Sequence, residues 1–539
     1  MEKVFYKGLD MIKPHVVEPT KLPRTCGMPV IKDPDTGYLN VGAYSIGVLS
    51  INPLQIIIGV KSYVTADLFQ KIDSFTIALG SKNQVDNIWV IAFHAPPGID
   101  EIELADWHPM ESSFIKDSPG ILECPVNLEC RKVGLIKLPH PWRTIVIARV
   151  EGVSVDESFV KAPRSETLAL LPVHEGGMHM EDGFYGLSTM SGNIANPAPG
   201  AKGNWEVKNG KIHTADLYAP ENAPVLANCL FPRPSYIVIT KNEDGSPWFE
   251  AVSMGFIQST EPAVHVPIKK GSATWKNVKR EKQFTVSIPT FDKLKEFDAL
   301  RSKEGGASQC GFTLNEPNMF DIPSLKECPI SIDCEAYVIE DIPGSEDSLL
   351  LGIKVGATMD SIIGKMLDQT AYPPKENMAF MNKLYSSLIY KAFDVDMTEK
   401  TVHYDMNSTV PIKNIPIWGS RYQGAWWGEV PSRMQHWLIE LCQMKILTKR
   451  EYEKICNELI YWNNGKGVEH LKKYYKSGDM EACRERLTKL LKAMVWAGRD
   501  MWRWDRVHAL LDQLPDPYLF HNHHAGPMYY EAWSAEYYM

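Results

Sequence analysis

Two cysteine pairs offer the first chemistry. Residues 123–130 read ECPVNLEC and residues 327–334 read ECPISIDC, each a pair of thiols six apart beside carboxylates. Thiols and acids gathered in one place would clamp a metal ion or, once oxidised, close a disulfide. The alternation points elsewhere. Cys124, Val126, Leu128 and Cys130 alternate with Pro125, Asn127 and Glu129, the period-two pattern of a strand with one buried face. A zinc clamp uses a short Cys-x-x-Cys turn, so this spacing predicts buried structural thiols. Three other clusters carry chemistry-bearing types. HEGGMHMEDG places His174 and His179 in a loop, as proton donors or as solvated loop histidines. HNHHAGP carries His521, His523 and His524, a metal-like cluster without a fixed partner that reads as a polar tail. Trp426, Trp427, Trp437, Trp496, Trp502 and Trp504 lie at partly helical spacings, which favours core packing over a substrate cage. No Ser-His-Asp set, Walker loop, zinc-protease helix or GxGxxG after a strand is present.

The matching frames are part of a longer repeat. PRTCGMPVIKDPDTG (23–37) aligns with PRPSYIVITKNEDG (232–245), each a hairpin opening that closes on an Asp-rich turn and Gly. YSIGVLSINP (44–53) aligns with SMGFIQSTEP (253–262), VKSYVTADLF (60–69) with KKGSATWKNV (269–278), and TIVIARVEGVSVD (144–156) with LLLGIKVGATMD (349–360). The spacing is 209 residues at Phe75 and Phe284 and 204 at Cys124 and Cys328, so one loop is shorter in the second copy. Residues of about 20–180 and 228–400 are two copies of one domain.

The elements that must position these residues are mostly strands. Runs such as QIIIGV and TIVIARV, broken by Gly, Pro and Asp, with one helical stretch such as SYVTADLFQKI, suggest a small closed barrel in each copy. From about residue 415 the pattern turns helical, with a capping-box start at Thr448 and Glu451 and a long amphipathic run after it. The expected organisation is a first barrel at 1–190, a Gly/Pro/Asn-rich linker at 191–228, a second barrel at 229–405 and a Trp-rich helical domain at 415–539. The fold class is β-rich α+β: two tandem β-barrels and an all-α C-terminal domain.

Composition narrows the function classes. The chain has 539 residues, 44% hydrophobic and 23% charged, with a net charge of −9. An acidic balance without basic runs argues against a nucleic-acid surface, and no apolar stretch is long enough to span a bilayer. Ten scattered cysteines and no signal-like start lead us to expect a reducing, cytoplasmic setting.

Taken in order, the Pro-Arg, the Asp-x-Gly hairpin, NVGAYSIGVLSINP, KSYVT, ECPVNLEC and HEGG resemble the flavin reductase-like family of FMN-binding split barrels, close to the flavoredoxin type. That family pairs two subunits, with each FMN near the interface. Two copies in one chain resemble such a dimer fused, an intramolecular pseudo-dimer. The resemblance implies FMN as cofactor and NAD(P)H as a candidate co-substrate. It places Asn40, Ser45, Ser50 and Asn52 along the isoalloxazine and ribityl side. Lys61, Ser62 and Thr65 would hold the phosphate, where a cation, hydroxyls and helix-start N–H groups meet a dianion. His174 would stand over the flavin as the catalytic candidate. Tyr63 departs from the Arg usual in the family.

The second copy is more eroded. Lys270 and Thr274 match Lys61 and Thr65, but Gly271 replaces the Ser and Glu261 replaces Asn52, leaving Ser253 and Ser259 of the upstream set. One good flavin site, in the first copy, is the expectation. The resemblance implies an FMN-dependent oxidoreductase that moves hydride or electrons from NAD(P)H or a protein donor to an acceptor. Two alternatives stand beside it: an FMN enzyme acting on its own organic substrate under the helical domain, and a non-enzymatic flavin- or partner-binding protein. The partners implied are a small-molecule substrate or acceptor and a redox partner protein, with no nucleic acid and no membrane.

Overall fold

The computed structural model describes, with short gaps, residues 2–7, 22–60, 63–81, 101–137, 144–174, 210–257, 263–367 and 387–403. The helical domain expected at 415–539, with its tryptophans and histidines, lies almost wholly outside the described residues, as do Lys61, Ser62, His179 and Glu261.

After β1 (Lys3–Lys7), the first repeat runs through β2 (Arg24–Lys32), β3 (Leu39–Val41), β4 (Tyr44–Ile51), β5 (Leu54–Val60), α1 (Tyr63–Lys71), β6 (Ser74–Leu79), α2 (Glu101–Leu104), β7 (Val126–Lys137), β8 (Thr144–Asp156) and α3 (Glu157–Lys161). Neighbours follow the order β2-β4-β5-β8-β7-β6, and β6 pairs back onto β2, closing a six-stranded barrel. All seven residues of β5, LQIIIGV, are buried, as expected of β-branched side chains in a strand covered on both faces. The predicted hairpin opening forms between β2 and β3. Asp33 accepts from the Asp35 N–H at 2.9 Å, and Gly37 closes the turn with φ at +79°, a conformation that favours glycine.

A further strand, β9 (Lys211–Thr214), precedes the second repeat, which keeps the element order: β10 (Tyr236–Lys241), β11 (Pro247–Val252), β12 (Phe256–Ile257), β13 (Ala263–Lys269), α4 (Ala273–Glu281), β14 (Gln283–Ile288), α5 (Leu294–Arg301), β15 (Ile330–Asp341), β16 (Asp347–Asp360) and α6 (Ser361–Leu367). Its sheet runs β11-β10-β14-β15-β16-β13-β12. Among the described residues no strand pairing joins β12 to β10, and side chains link the two segments instead: Ser235 and Ser253 share a hydroxyl bond at 2.9 Å and Arg233 Nε donates to the Ser253 carbonyl at 3.1 Å.

Two boundaries expected from the sequence are crossed by strands. β1, at the start of the first repeat, pairs antiparallel with β16 of the second, from Lys3 opposite Asp360 to Lys7 opposite Gly356. β9, in the expected linker, pairs with β8 of the first, from Lys211 opposite Asp156 to Thr214 opposite Val153. The exchange is reciprocal, as in an isologous dimer contact. Lys3 Nζ donates to the Cys328 carbonyl at 2.5 Å and pairs with Asp360 at 2.7 Å, while Lys211 Nζ donates to the Cys124 carbonyl at 2.6 Å. Each Glu-Cys-Pro frame thus receives a lysine from the strand that leads into the other repeat. A shared core completes the union, with Leu49, Ile57 and Ile145 packed against Ile342, Leu349 and Leu351.

The two cysteine frames are buried on both faces, not on one. Cys130 and Cys334 lie in the joint barrel core, Cys124 against Trp107 and Ile121, and Cys328 against Phe320 and Leu325. On the polar side, Asn127 accepts the Ile121 N–H at 2.8 Å, and Glu129 accepts N–H groups of Ser113, Phe114 and Ile115 at 3.0, 2.6 and 3.1 Å. The alternation therefore separates an apolar interior from polar anchors for the covering loop. All cysteines among the described residues are free and buried, and those residues contain no His/Cys/Asp/Glu cluster able to hold a metal. Desolvation pushes the Cys26 thiol up to about 12, which keeps it an unreactive neutral group.

Candidate functional site

Because β5 returns antiparallel to β4, α1 begins beside the start of β4. Thr65, third residue of α1, is fully buried. Its hydroxyl donates to Asn40 Oδ1 at 3.1 Å and accepts from the Tyr44 hydroxyl at 3.0 Å. The Tyr44 ring reaches this point by folding over Gly42, where a Cβ would stand 2.2 Å from the ring. Asn40 Nδ2 donates to Glu101 Oε2 at 3.0 Å, and the Val41 N–H donates to the same oxygen. Glu101 is buried because Ile102 and Ala105 of its segment, with Trp107, pack against Cys26, Met28 and Val41.

The set Asn40, Thr65, Tyr44 and Glu101 therefore joins β3, β4, α1 and α2 at one end of the barrel. Hydrogen-bond accounting says what it has left to offer. A hydroxyl has one proton to give, and Thr65 gives it to Asn40, so toward an anion Thr65 has its backbone N–H. The N–H groups of the first turn of a nine-residue helix have no carbonyl partner within that helix and carry its positive end. Asn40, partly exposed, spends one N–H on Glu101 and among the described residues has no acceptor for the other.

The remaining sequence candidates fall elsewhere or only partly here. Ser45 is buried beside Tyr44, in register with Cys26. Ser50 is buried opposite Gln55, just past a bulge at Leu49, and Asn52 is exposed in the β4–β5 turn. Asn52 is thus eight residues along a strand from Tyr44, about 25 Å at the usual rise. That turn meets the second repeat: Gln55 Nε2 donates to the Pro343 carbonyl at 2.5 Å. The backbone of His174 pairs with Arg24 at the edge of β2.

In the second repeat, Lys270 is half exposed and ion-paired with Asp341. The Thr274 hydroxyl is buried without a hydrogen-bond partner among the described residues and faces the Glu250 carboxyl, which burial pushes above its ordinary range. Strand register locates the other equivalents. Val41 pairs with Val30 as Phe249 pairs with Ile239, and these meet Thr76 and Thr285, the matching residues of the two Phe-Thr pairs. Trp248 therefore stands in the place of Asn40, and its Nε1 donates to the Gly305 carbonyl at 3.0 Å. Sequence reasoning missed Tyr44 and Glu101. Tyr44 was inside the quoted motif, whereas Glu101 has no spacing relation to Asn40 that would single it out.

A family model described as flavin reductase like domain matches residues 36–172 and 226–370, more than half of the chain. The chain belongs to the flavin reductase-like domain family, which it carries twice. An uncharacterised protein of Pyrococcus abyssi is 26% identical over 114 residues, 21% of this chain and 66% of that protein, so the match spans just under two thirds of that relative. Similar solved structures include nitrilotriacetate monooxygenase component B from Bacillus cereus, at 27% identity and TM-score 0.24 over 26% of this chain and 72% of that one. Flavoredoxin from Methanosarcina acetivorans is 16% identical with TM-score 0.24, over 32% of this chain and 85% of that one. Among the described residues no helix is long and apolar enough to cross a membrane.

Proposed function

We propose that the protein is an FMN-dependent oxidoreductase with one working flavin site per chain, in the first barrel. Electrons enter from NAD(P)H or a protein donor and leave to a small-molecule acceptor or a redox partner protein. The observation that carries this reading is the bonded set of Asn40, Thr65 and Tyr44 at the first turn of α1. It supplies what a phosphorylated, carbonyl-rich ligand requires: a positive helix end and an unspent amide N–H. Lys61 and Ser62, adjacent in the chain, would complete the phosphate side, and Ser45 would approach from β4. Ser50 and Asn52 belong to the opposite end of the same strand, away from the phosphate, and would serve the isoalloxazine and ribityl side.

Once bound, the flavin supplies the hydride and electron chemistry. The residues of this chain bind it, orient it and keep one face covered. In the second barrel, Trp248 replaces the Asn40 amide, Asp341 engages Lys270, and Glu250 sets a carboxyl beside Thr274. Each change removes a donor or adds an acceptor, which disfavours an anionic ligand.

The test is an absorption spectrum of the purified protein, with flavin counted per chain and NADH or NADPH then added without air. About one FMN per chain that bleaches on addition is the expected result. A colourless protein that takes up no added FMN sinks the reading, and two tightly held FMN per chain sinks the single-site part of it. Fast NAD(P)H oxidation with free flavin as sole acceptor would mark a reductase. Oxidation that stays slow until an organic compound is supplied would mark an enzyme with its own substrate.

A further inference from the structure

We propose that Glu101 is a positioning residue for the flavin site: its buried carboxylate holds the Asn40 amide so that the second Nδ2 hydrogen stays directed at an oxygen acceptor of the ligand. The inference rests on the FMN reading above and deepens it. Asn40 is gripped from both ends, Oδ1 by the Thr65 hydroxyl at 3.1 Å and Nδ2 by Glu101 at 3.0 Å. That pattern determines which end is nitrogen and leaves one N–H unspent. A bond to a carboxylate is roughly twice as strong as one between neutral groups, so the Glu101 grip is the dominant one.

The second repeat shows that the strand itself does not need a carboxylate here. At the position of Val41, the Phe249 N–H donates to the Ala307 carbonyl at 2.9 Å, and the Ala307 N–H returns a bond to the Phe249 carbonyl at 2.8 Å. A neutral backbone bridge does the structural task there. Burying a carboxylate is costly, and a neutral carbonyl was sufficient for the N–H. What the first repeat gains from the charge is control of Asn40, and in the second repeat the residue in that place is Trp248, with no amide to orient.

The experiment is FMN titration, followed by quenching of flavin fluorescence, on the full-length chain and on E101Q, N40A and the double variant, with thermal melts of each. Glu101→Gln preserves size and removes the charge. The expected result is FMN binding at least tenfold weaker in E101Q with its melt within a few degrees of the parent. In the N40A background, E101Q is expected to weaken FMN less than a further twofold, because the group it positions is gone. A purely structural role would leave the two losses multiplicative, and that result, or parental affinity in E101Q, overturns the proposal. Should E101Q not fold, Glu101→Asp retains the charge but withdraws it by one methylene, and parental affinity there overturns the proposal equally. An N40A variant that binds FMN like the parent removes Asn40 from the site, and this inference with it, while the flavin reading stands. A parent chain that binds no FMN overturns both.

Discussion

The two repeats share element order and a common core, yet differ at several polar positions. Position seven of the Glu-Cys-Pro frame shows it well. In the first repeat it is Glu129, whose carboxylate accepts three loop N–H groups; in the second it is Asp333, which takes one hydrogen bond, from Thr285 at 2.7 Å. Burial raises the Asp333 carboxyl to about 6. The helix-start set differs likewise, satisfied through Asn40, Thr65 and Tyr44 in one barrel and reduced to Thr274 facing the Glu250 carboxyl in the other. Apolar positions tolerate few changes because they fill a shared interior, whereas polar positions outside it are free to lose a ligand once one site suffices.

Deep core truncation tests the claim that both barrels fold as one. Phe75 and Phe284 are equivalent and fully buried, so Phe75→Ala and Phe284→Ala should each cost about 3–5 kcal/mol. With strands exchanged and a common core, the barrels should unfold in a single transition in either variant. Two separate transitions in a denaturant melt would break the picture of mutual completion.

The Asp333 comparison has a pH signature. An acid whose folded pKa is raised holds its proton more tightly folded than unfolded, so the folded state is favoured below the ordinary aspartate value of 3.8 and loses that advantage as pH rises through about 6. Asp333→Asn retains an acceptor for Thr285 and abolishes the titration. It should be more stable than the parent by about 2–3 kcal/mol above pH 7 and close to it near pH 4. Denaturant unfolding at the two pH values decides, and a gap independent of pH would show that desolvation of Asp333 is not the cause.

A smaller contrast separates the two helix starts. Thr65→Val removes the donor to the Asn40 carbonyl and the acceptor of the Tyr44 hydroxyl and should cost about 1–3 kcal/mol, together with weaker FMN binding. Thr274→Val removes a hydroxyl that faces the Glu250 carboxyl without well-formed hydrogen-bond geometry, and should shift stability by less than about 1 kcal/mol with flavin content unchanged. Equal losses in the two variants would erase the distinction between the sites.

The smallest effect belongs to Lys270 and Asp341, both about half exposed. Lys270→Ala should change stability by about 0–1 kcal/mol and leave the flavin count per chain as it was. A drop in bound flavin would place a working site in the second barrel.

Much of the architecture was readable in the chain. The period-two pattern of the cysteine frames foretold strands and buried thiols, and the repeat foretold a second barrel, because both signals are local or copy-to-copy. Less of the site was readable. Asn40 and Thr65 were named from the resemblance, but nothing in the sequence indicated that Tyr44 links to Thr65 or that Glu101 binds Asn40. Ser50 and Asn52, assigned by the resemblance to the isoalloxazine and ribityl side, lie along β4 and its turn, at the end away from Tyr44 and Thr65.

What the sequence determined by itself was the period of each element, the duplication and the family, since these depend on residue types at short or repeated spacings. What only the tertiary structure decided was partnership across distance: Lys3 with Cys328 and Asp360, Lys211 with Cys124, Glu101 with Asn40. The physical reason is that a hydrogen bond depends on where backbones converge in space. Closure of a barrel and exchange of its edge strands bring together residues whose separation along the chain holds no information about their meeting.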